Sequence, residues 1–217
     1  MADLYADALA AQGLTAVTFD FAGFGASGGM PRQTEAPERK IADITAVAAQ
    51  VSRLSFVHPR RVGYLAVCAS VQYALAAIAA GAPITSFASV ADWYHDIHTI
   101  APFYGGMEGV AGRLQRGRAA LAEYQRTGAV RTVPADKSGD ERAGMFIEMD
   151  YYSSPARGAV KSWVNEMAEM SWLFWLTFDG QAAAPKVGSQ RCSCTATAAS
   201  CPETSRKSTA SSPGRPN

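Results

Sequence analysis

The stretch VGYLAVCASVQ, residues 62–72, decides the fold. It begins as an apolar run, residues 62–67, that is typical of a buried parallel strand, and passes almost directly into a small-residue helix predicted at residues 71–80. A sharp strand-to-helix turn with small neighbours presents its central side chain at the C-terminal edge of the sheet, under a helix N-terminus. The pattern therefore predicts that Cys68 stands at such a turn.

Cys68 is the better candidate nucleophile of this turn, because the residues two positions before and after it, Ala66 and Ser70, are both small. Ser70 is the alternative nucleophile, but Gln72 on its far side is too large for the turn. The backbone N–H of Ala69 would then point into an oxyanion hole. A buried structural cysteine is an equally good interpretation of the local sequence.

Strand and helix alternate on both sides of this stretch. The patterns predict helices at residues 2–12, from Pro37 onward and at 71–80, and strands at residues 15–21, 62–67 and 84–90. Alternation of this kind predicts an α/β fold, with a parallel sheet between helices on both faces.

A resemblance to a known family rests on two motifs. The loop TFDFAGFGASGG, residues 18–29, resembles the D-x-R-G-x-G-x-S loop of α/β-hydrolases, with Ala22 where arginine is usual. VGYLAVCAS is similar to the elbow of bacterial dienelactone-hydrolase-like and acyl-esterase-like members, although Ala66, Val71 and Gln72 replace common glycines. The resemblance covers about residues 1–187. It implies an incomplete three-layer α/β/α hydrolase core with a parallel sheet.

The resemblance also implies a reaction, which is hydrolysis of a small-molecule ester or lactone through an acyl-enzyme at Cys68 or Ser70. No cofactor and no metal are expected. The family orders its triad as nucleophile, acid and histidine, whereas the three histidines, His58, His95 and His98, precede any expected acid strand. We expect them to be surface or lid residues and the chain to lack turnover. A non-catalytic pseudoenzyme or binding fragment is the alternative.

A nucleotide-binding module is a second alternative, because Gly23, Gly25 and Gly28 match G-x-G-x-x-G after a predicted strand. The third glycine of that fingerprint should begin a helix, but the prolines that follow oppose one. The acidic residue expected about 20 positions later should end a second strand, and Asp43 falls in a predicted helix instead. The context therefore disfavours this alternative.

The domain prediction has three parts, with a partial hydrolase core at residues 1–91 and a helical insertion, or lid, over the sheet at 92–186. Within the insertion we expect helices at 113–126 and 160–178, a loop at 132–140 and no strand. Its aromatic residues are expected to pack on the core rather than to line an acyl pocket; they are Trp163, Trp172, Phe174, Trp175 and Phe178.

Charge and composition exclude several classes of partner. The net charge of +1 gives no electrostatic footprint for nucleic acid or an acidic membrane. No apolar run approaches the roughly 20 residues that span a bilayer, and the first 13 residues do not resemble a signal peptide. We therefore expect a cytoplasmic protein that binds neither nucleic acid nor membrane, of unknown oligomeric state.

Residues 187–217 are predicted to be a disordered, non-native tail created by a frameshift near codons 186–188. The tail is rich in Ser, Thr, Ala and Pro, and it holds Cys192, Cys194 and Cys201 without a fourth zinc ligand. If the codons from Gly188 are regrouped one frame over, Val-Pro-Thr-Leu-Phe-Val-His-Gly-Asp-Gly is permitted, which resembles the family's acid-bearing strand. Likewise, Met1 is expected to be an internal methionine, and the family's oxyanion loop to precede it.

Sequencing the genomic DNA around codon 187 tests the frameshift. We expect an alternative frame to continue as an apolar strand followed by a carboxylate and, further on, a histidine. A single open frame with no such continuation in the other frames would contradict it.

Overall fold

The computed structural model of the chain describes residues 2–147 and 149–187. Its elements in chain order, with two 3₁₀ turns at Ala101–Tyr104 and Ala184–Lys186, are α1 (Ala2–Ala11), α2 (Pro37–Val51), β1 (Gly63–Val67), α3 (Ser70–Ala79), β2 (Ser86–Val90), α4 (Ile97–Ile100), α5 (Gly106–Thr127), β3 (Thr132–Val133), α6 (Asp150–Ser153), β4 (Met167–Ala168) and α7 (Ser171–Trp175).

The two central strands are parallel. β1 and β2 pair in register from Gly63 opposite Ser86 to Val67 opposite Val90. A parallel pair needs a crossover between its strands, and α3 supplies it. The parallel arrangement and the strand–helix–strand order predicted from the sequence are thus confirmed, with strand ends shifted by one or two residues.

The strand predicted at residues 15–21 is wrong as an assignment. The segment has no helix and no ladder partner in the described part of the chain, although Phe19 and Phe21 pack on the main core and meet edge to face at 5.1 Å. A strand exists only where a neighbour accepts and donates its main-chain hydrogen bonds. The apolar pattern identified a core-facing segment correctly but could not supply that neighbour.

The main core lies between the sheet and two helices. α2 begins with Pro37 in its first turn, as predicted, and turns Ile44 and Ala48 inward to pack on α3. α3 is buried almost all round, since its small residues, such as Ala74 and Ala77, allow β1 and α2 to approach closely.

The second half of the chain is partly helical, as predicted, but two of its assignments are wrong. The helix expected at 113–126 is real and longer, whereas the one expected at 160–178 is reduced to α7. β3 pairs antiparallel with β4 inside the expected helical insertion, although no strand was predicted there and residues 132–140 were expected to form a loop. The N–H of Ala168 also donates to the carbonyl of Gln33 at 2.7 Å, a long-range contact that no local pattern reveals.

The aromatic residues of this half pack on both cores, which fits the prediction for most of them. Trp172 is fully buried, and Trp175 contacts the main core and a second core around Ile100 and Tyr104. Phe174, by contrast, is 37% exposed, and Trp163, for which the prediction is wrong, stacks on Tyr152 and belongs to none of the described cores. The domain boundaries at residues 91 and 186 stay predictions.

Shortening Ile44, which is fully buried between α2 and α3, should lower the free energy of unfolding. We expect Ile44→Ala to cost about 2–5 kcal/mol, because the lost contacts leave a cavity. Urea denaturation measures this, with Ile147→Ala at an exposed position as the control. Equal losses in the two variants would contradict the packing described.

Candidate active site

The turn at Cys68 is built from only two residues, Cys68 and Ala69, between Val67 at the end of β1 and Ser70 at the start of α3. Cys68 has a φ of +56°, in the left-handed region that L-residues rarely adopt. Its N–H donates to the carbonyl of Val90 at 3.0 Å, which extends the parallel ladder one step beyond β1. The predicted strand–Cys68–helix turn at the C-terminal edge of a parallel sheet is confirmed.

Ser70 is engaged at this turn. Its hydroxyl donates to the carbonyl of Val67 at 2.7 Å, and its Oγ accepts the N–H of Val67 at 3.0 Å. These two main-chain groups would otherwise end the strand without partners. An attack by Ser70 on a substrate would require both hydrogen bonds to break, so its local role is to close the strand.

Ala69 stands as the N-cap residue of α3, with φ −62° and ψ −19°. The first N–H groups of a helix have no partner within the helix, and they carry the positive end of its dipole. A donor at this place fits an oxyanion hole, and that role for Ala69 stays a prediction.

Tyr152, one ring of a stacked aromatic pair, lies within electrostatic range of Cys68. The ring of Tyr152 in α6 stacks on that of Trp163, with centroids 5.0 Å apart and planes 27° apart. Burial raises the pKa of Tyr152, and the neighbouring charge of Cys68 raises it further. The Tyr152 ring is thus the one within electrostatic range of the thiol, and Trp163 stacks on it; we call the two stacked rings the Tyr152–Trp163 wall.

Asp92 is a candidate acid that the sequence-based analysis missed. It lies two residues after β2, at the same sheet edge as the turn, and the N–H of the next residue, Trp93, donates to the carbonyl of Cys68 at 3.4 Å. Its Oδ2 accepts the hydroxyl of Tyr94 at 3.3 Å, whereas its buried Oδ1 has no hydrogen-bond partner in the described part of the chain. A carboxylate directly after a parallel strand was the signal that could have identified it.

His95 is a buried structural residue, so its expected surface or lid position is wrong. Its Nδ1 accepts the indole N–H of Trp93 at 3.1 Å, and its Nε2 lies 2.7 Å from the carbonyl of Trp175, which fixes the ring as the Nε2–H tautomer. Burial lowers the pKa of His95, which favours the neutral ring. His58 and His98 are exposed, as expected.

The large side chain of Gln72 is accommodated by a glycine elsewhere in the chain. Gln72 is fully buried, and its Oε1 accepts the N–H of His95 at 3.3 Å. Gly180 faces it so closely that a Cβ there would collide with the Gln72 amide, and the N–H of Gly180 donates to the carbonyl of His95 at 2.8 Å. Gly180 thus makes room for the large side chain of Gln72, which stands where the family resemblance leads one to expect a small residue.

The glycine-rich loop is closed on its own hydrogen bonds. The N–H of Gly23 donates to the carbonyl of Gly28 at 2.7 Å, and the N–H of Ala26 donates to the carboxylate of Asp20 at 2.9 Å. Arg32 donates to two further loop carbonyls. Because these amides already donate hydrogen bonds within the loop, and one of them donates to the negatively charged Asp20, the loop is poorly suited to bind phosphate. This weighs further against the nucleotide-binding alternative.

Two further structural findings concern metals and membranes. The described residues contain no group of three or more His, Cys, Asp or Glu side chains placed to hold a metal ion. No helix among them is both long and apolar enough to cross a bilayer. Cys192, Cys194, Cys201 and the rest of the chain from Gly188 onward lie outside the described residues, and the frame change stays a prediction.

Solved structures with similar folds were found by comparison. The hypothetical protein PA2218 from Pseudomonas aeruginosa aligns with a TM-score of 0.71 at 20% identity, over 85% of this chain and 60% of that one. The alpha/beta hydrolase GrgF from Penicillium sp. sh18 aligns with a TM-score of 0.68 at 17% identity, over 89% of this chain and 65% of GrgF. DcsB, in complex with its substrate analogue, gives a TM-score of 0.64 at 16% identity, over 85% and 62% of the two chains.

The chain has an α/β-hydrolase fold. It spans 60–65% of these three structures. In sequence, 72 residues are 39% identical to the uncharacterized protein YcjY of Escherichia coli (strain K12), over 33% of this chain and 24% of YcjY. No family model matches the chain.

Removing the Ser70 hydroxyl should lower the stability of the fold and leave the reactivity of the Cys68 thiol unchanged. We expect Ser70→Ala to lower the free energy of unfolding by about 1–3 kcal/mol, because the N–H and carbonyl of Val67 lose their partner. Denaturation measures the first effect, and the alkylation rate of Cys68 measures the second. A fully stable Ser70→Ala variant would contradict this role.

Proposed function

We propose that this fold carries a thiol-based acyl-transfer site of the dienelactone-hydrolase-like or acyl-esterase-like kind, with Cys68 as nucleophile. The observation that carries the proposal is the left-handed turn of Cys68 between a parallel strand and the N-terminus of α3. This placement exposes a side chain at the sheet edge and sets helix N–H groups beside it.

The reaction has two steps. The thiolate of Cys68 attacks the carbonyl carbon of an ester or lactone, and the carbonyl oxygen takes up negative charge near the Ala69 N–H. The C–O bond then breaks, and the alkoxide, which leaves an ester but stays attached to the acyl group of an opened lactone, takes a proton from water. In the second step, water attacks the thioester, which releases the carboxylic acid and regenerates the thiol. No cofactor enters either step.

The substrate we propose is a small-molecule ester or lactone with a flat acyl group. The Tyr152–Trp163 wall offers an aromatic face near Cys68, on which a conjugated or ring-shaped acyl group can stack. A cytoplasmic location, which keeps the thiol reduced, is part of the same proposal.

We propose that this chain completes only the first of these two steps and therefore lacks turnover. The second step needs a base, and His95 has both ring nitrogens engaged inside the core. Among the described residues the Oδ1 of Asp92 has no hydrogen-bond partner and is suited to orient a histidine ring, and the proposed frame change would remove the histidine that the family resemblance places there. The alternative function, a non-catalytic pseudoenzyme or binding fragment, shares this lack of turnover and differs in that Cys68 would not be acylated.

Incubation with p-nitrophenyl acetate separates these outcomes. We expect a burst of about one p-nitrophenolate per chain, acetylation mapped to Cys68 by peptide mass spectrometry, and no steady turnover above background. Loss of triad partners costs on the order of 10⁴-fold in turnover, so we expect no second phase.

Cys68→Ala is the matched control, because the burst should vanish while the three tail cysteines are unchanged. Acetylation spread equally over the tail cysteines would refute Cys68 as nucleophile and favour the binding-fragment alternative. Sustained turnover that Cys68→Ala abolishes would refute the loss of the second step.

A further inference from the structure

The ring of Tyr152 is held in place by two aromatic neighbours. It stacks on Trp163 with planes 27° apart, and it meets Tyr151 edge to face, with ring centroids 5.2 Å apart. Aromatic pairs in these two geometries are favourable beyond the area that they bury. The two contacts restrict the ring of Tyr152 and, with it, the position of its hydroxyl group.

A row of contacts leads from the Cys68 turn to the segment that precedes α6. The N–H of Trp93 donates to the carbonyl of Cys68 at 3.4 Å. The ring of Trp93 meets that of Phe103 edge to face at 5.7 Å, and the ring of Phe103 lies 5.1 Å from that of Phe146. Because only three residues separate Phe146 from α6, this row holds α6 near the sheet edge that carries Cys68.

The chain beside Trp163 is braced from a second direction. The N–H of Asp136 donates to the side-chain oxygen of Asn165 at 2.8 Å, and the side-chain amide of Asn165 donates back to the carbonyl of Asp136 at 2.9 Å. Asn165 lies two residues after Trp163. The stacked pair is therefore fixed by Asp136 on one side and by the aromatic row on the other.

The surroundings keep the hydroxyl of Tyr152 protonated. Burial raises the pKa of Tyr152, the nearby Cys68 raises it further, and the carboxylates of Asp136 and Glu35 act in the same direction. All of these influences disfavour a phenolate, so the group is a proton donor at neutral pH and not a base. An alkoxide is a stronger base than a phenolate, so it can take a proton even from such a hydroxyl group.

We propose that Tyr152 is a further catalytic residue of this site and donates its hydroxyl proton to the leaving oxygen of the ester or lactone. The inference rests on the proposed acyl transfer at Cys68. As the C–O bond breaks, its electron pair stays on the leaving oxygen, and that oxygen takes the proton of Tyr152. The phenolate then regains a proton from water, which remains the source of the proton overall. A positioned general acid contributes about 10²- to 10⁴-fold to the rate of such a step.

Two esters with one acyl group and different leaving groups test the inference. p-Nitrophenyl cinnamate releases p-nitrophenolate, a weak base that needs no proton, whereas methyl cinnamate releases methoxide, a strong base. Each ester, in large excess, forms the same cinnamoyl thioester at Cys68, which mass spectrometry follows in time. We expect Tyr152→Phe, which keeps the ring that stacks on Trp163, to slow acylation by the methyl ester at least about 100-fold and by the p-nitrophenyl ester less than about threefold.

Tyr151→Phe is the matched control. Tyr151 is the preceding residue of α6, but its hydroxyl group lies against Gly158, where an added Cβ would collide with it. This variant should leave the rates with both esters unchanged, and far-UV circular dichroism checks that both variants are folded. Equal slowing with the two esters in Tyr152→Phe, equal slowing in the two variants, or no effect of Tyr152→Phe would overturn the inference.

The two esters also separate this inference from the proposed function on which it rests. If the wild type is acylated at Cys68 by the p-nitrophenyl ester and not by the methyl ester, the nucleophile stands and the role of Tyr152 is refuted. If neither ester forms a thioester at Cys68, the proposed acyl transfer is refuted, and the role of Tyr152 with it.

Discussion

The left-handed backbone of Cys68 is the constraint on which the rest of the structure depends. A φ of +56° costs an L-residue about 1–2 kcal/mol, and it persists only where the surroundings hold it. Here the ladder bond to Val90 holds it on one side and the N–H of Val71, 3.1 Å from the Cys68 carbonyl, holds it on the other. Ala91, the residue that follows β2, also has a left-handed backbone, with a φ of +52°. The two paired strands therefore end at the same level of the sheet.

This turn determines how α3 packs against the sheet and how the second half of the chain contacts α3. Because α3 must leave β1 within two residues, it lies close against the sheet, and small residues such as Ala66, Ala74 and Ala77 are buried where the two elements approach. Gln72 breaks that rule and is admitted by Gly180, which joins the second half of the chain to the turn through His95. The resulting contact connects residues more than a hundred positions apart.

The sequence was sufficient where structure follows from local pattern. Small neighbours around Cys68 predicted its turn, and Pro37 with the apolar stripe of its helix predicted α2. The sequence was not sufficient where the structure of a segment depends on a partner that is distant in the chain. The segment 15–21 needed a neighbouring strand, and Met167 and Ala168 pair with β3 instead of continuing a helix.

The candidate site divides in the same way. The position of Cys68 could be predicted, because the turn is local. The burial of His95 could not, since it depends on Trp93 and Trp175 meeting its two ring nitrogens. Asp92 follows β2 by two residues, a position visible in the sequence, but the family resemblance places the acid on a later strand.

The most direct measurement of this account compares the unfolding free energies of Cys68→Gly and Cys68→Ala. Neither variant has a thiol, so the comparison isolates the backbone. If Cys68 occupies a left-handed turn, glycine relieves the strain and Cys68→Gly should be more stable than Cys68→Ala by about 0.5–1 kcal/mol, despite the greater freedom of glycine in the unfolded chain. A more stable Cys68→Ala would place Cys68 in ordinary strand or helix and contradict the account.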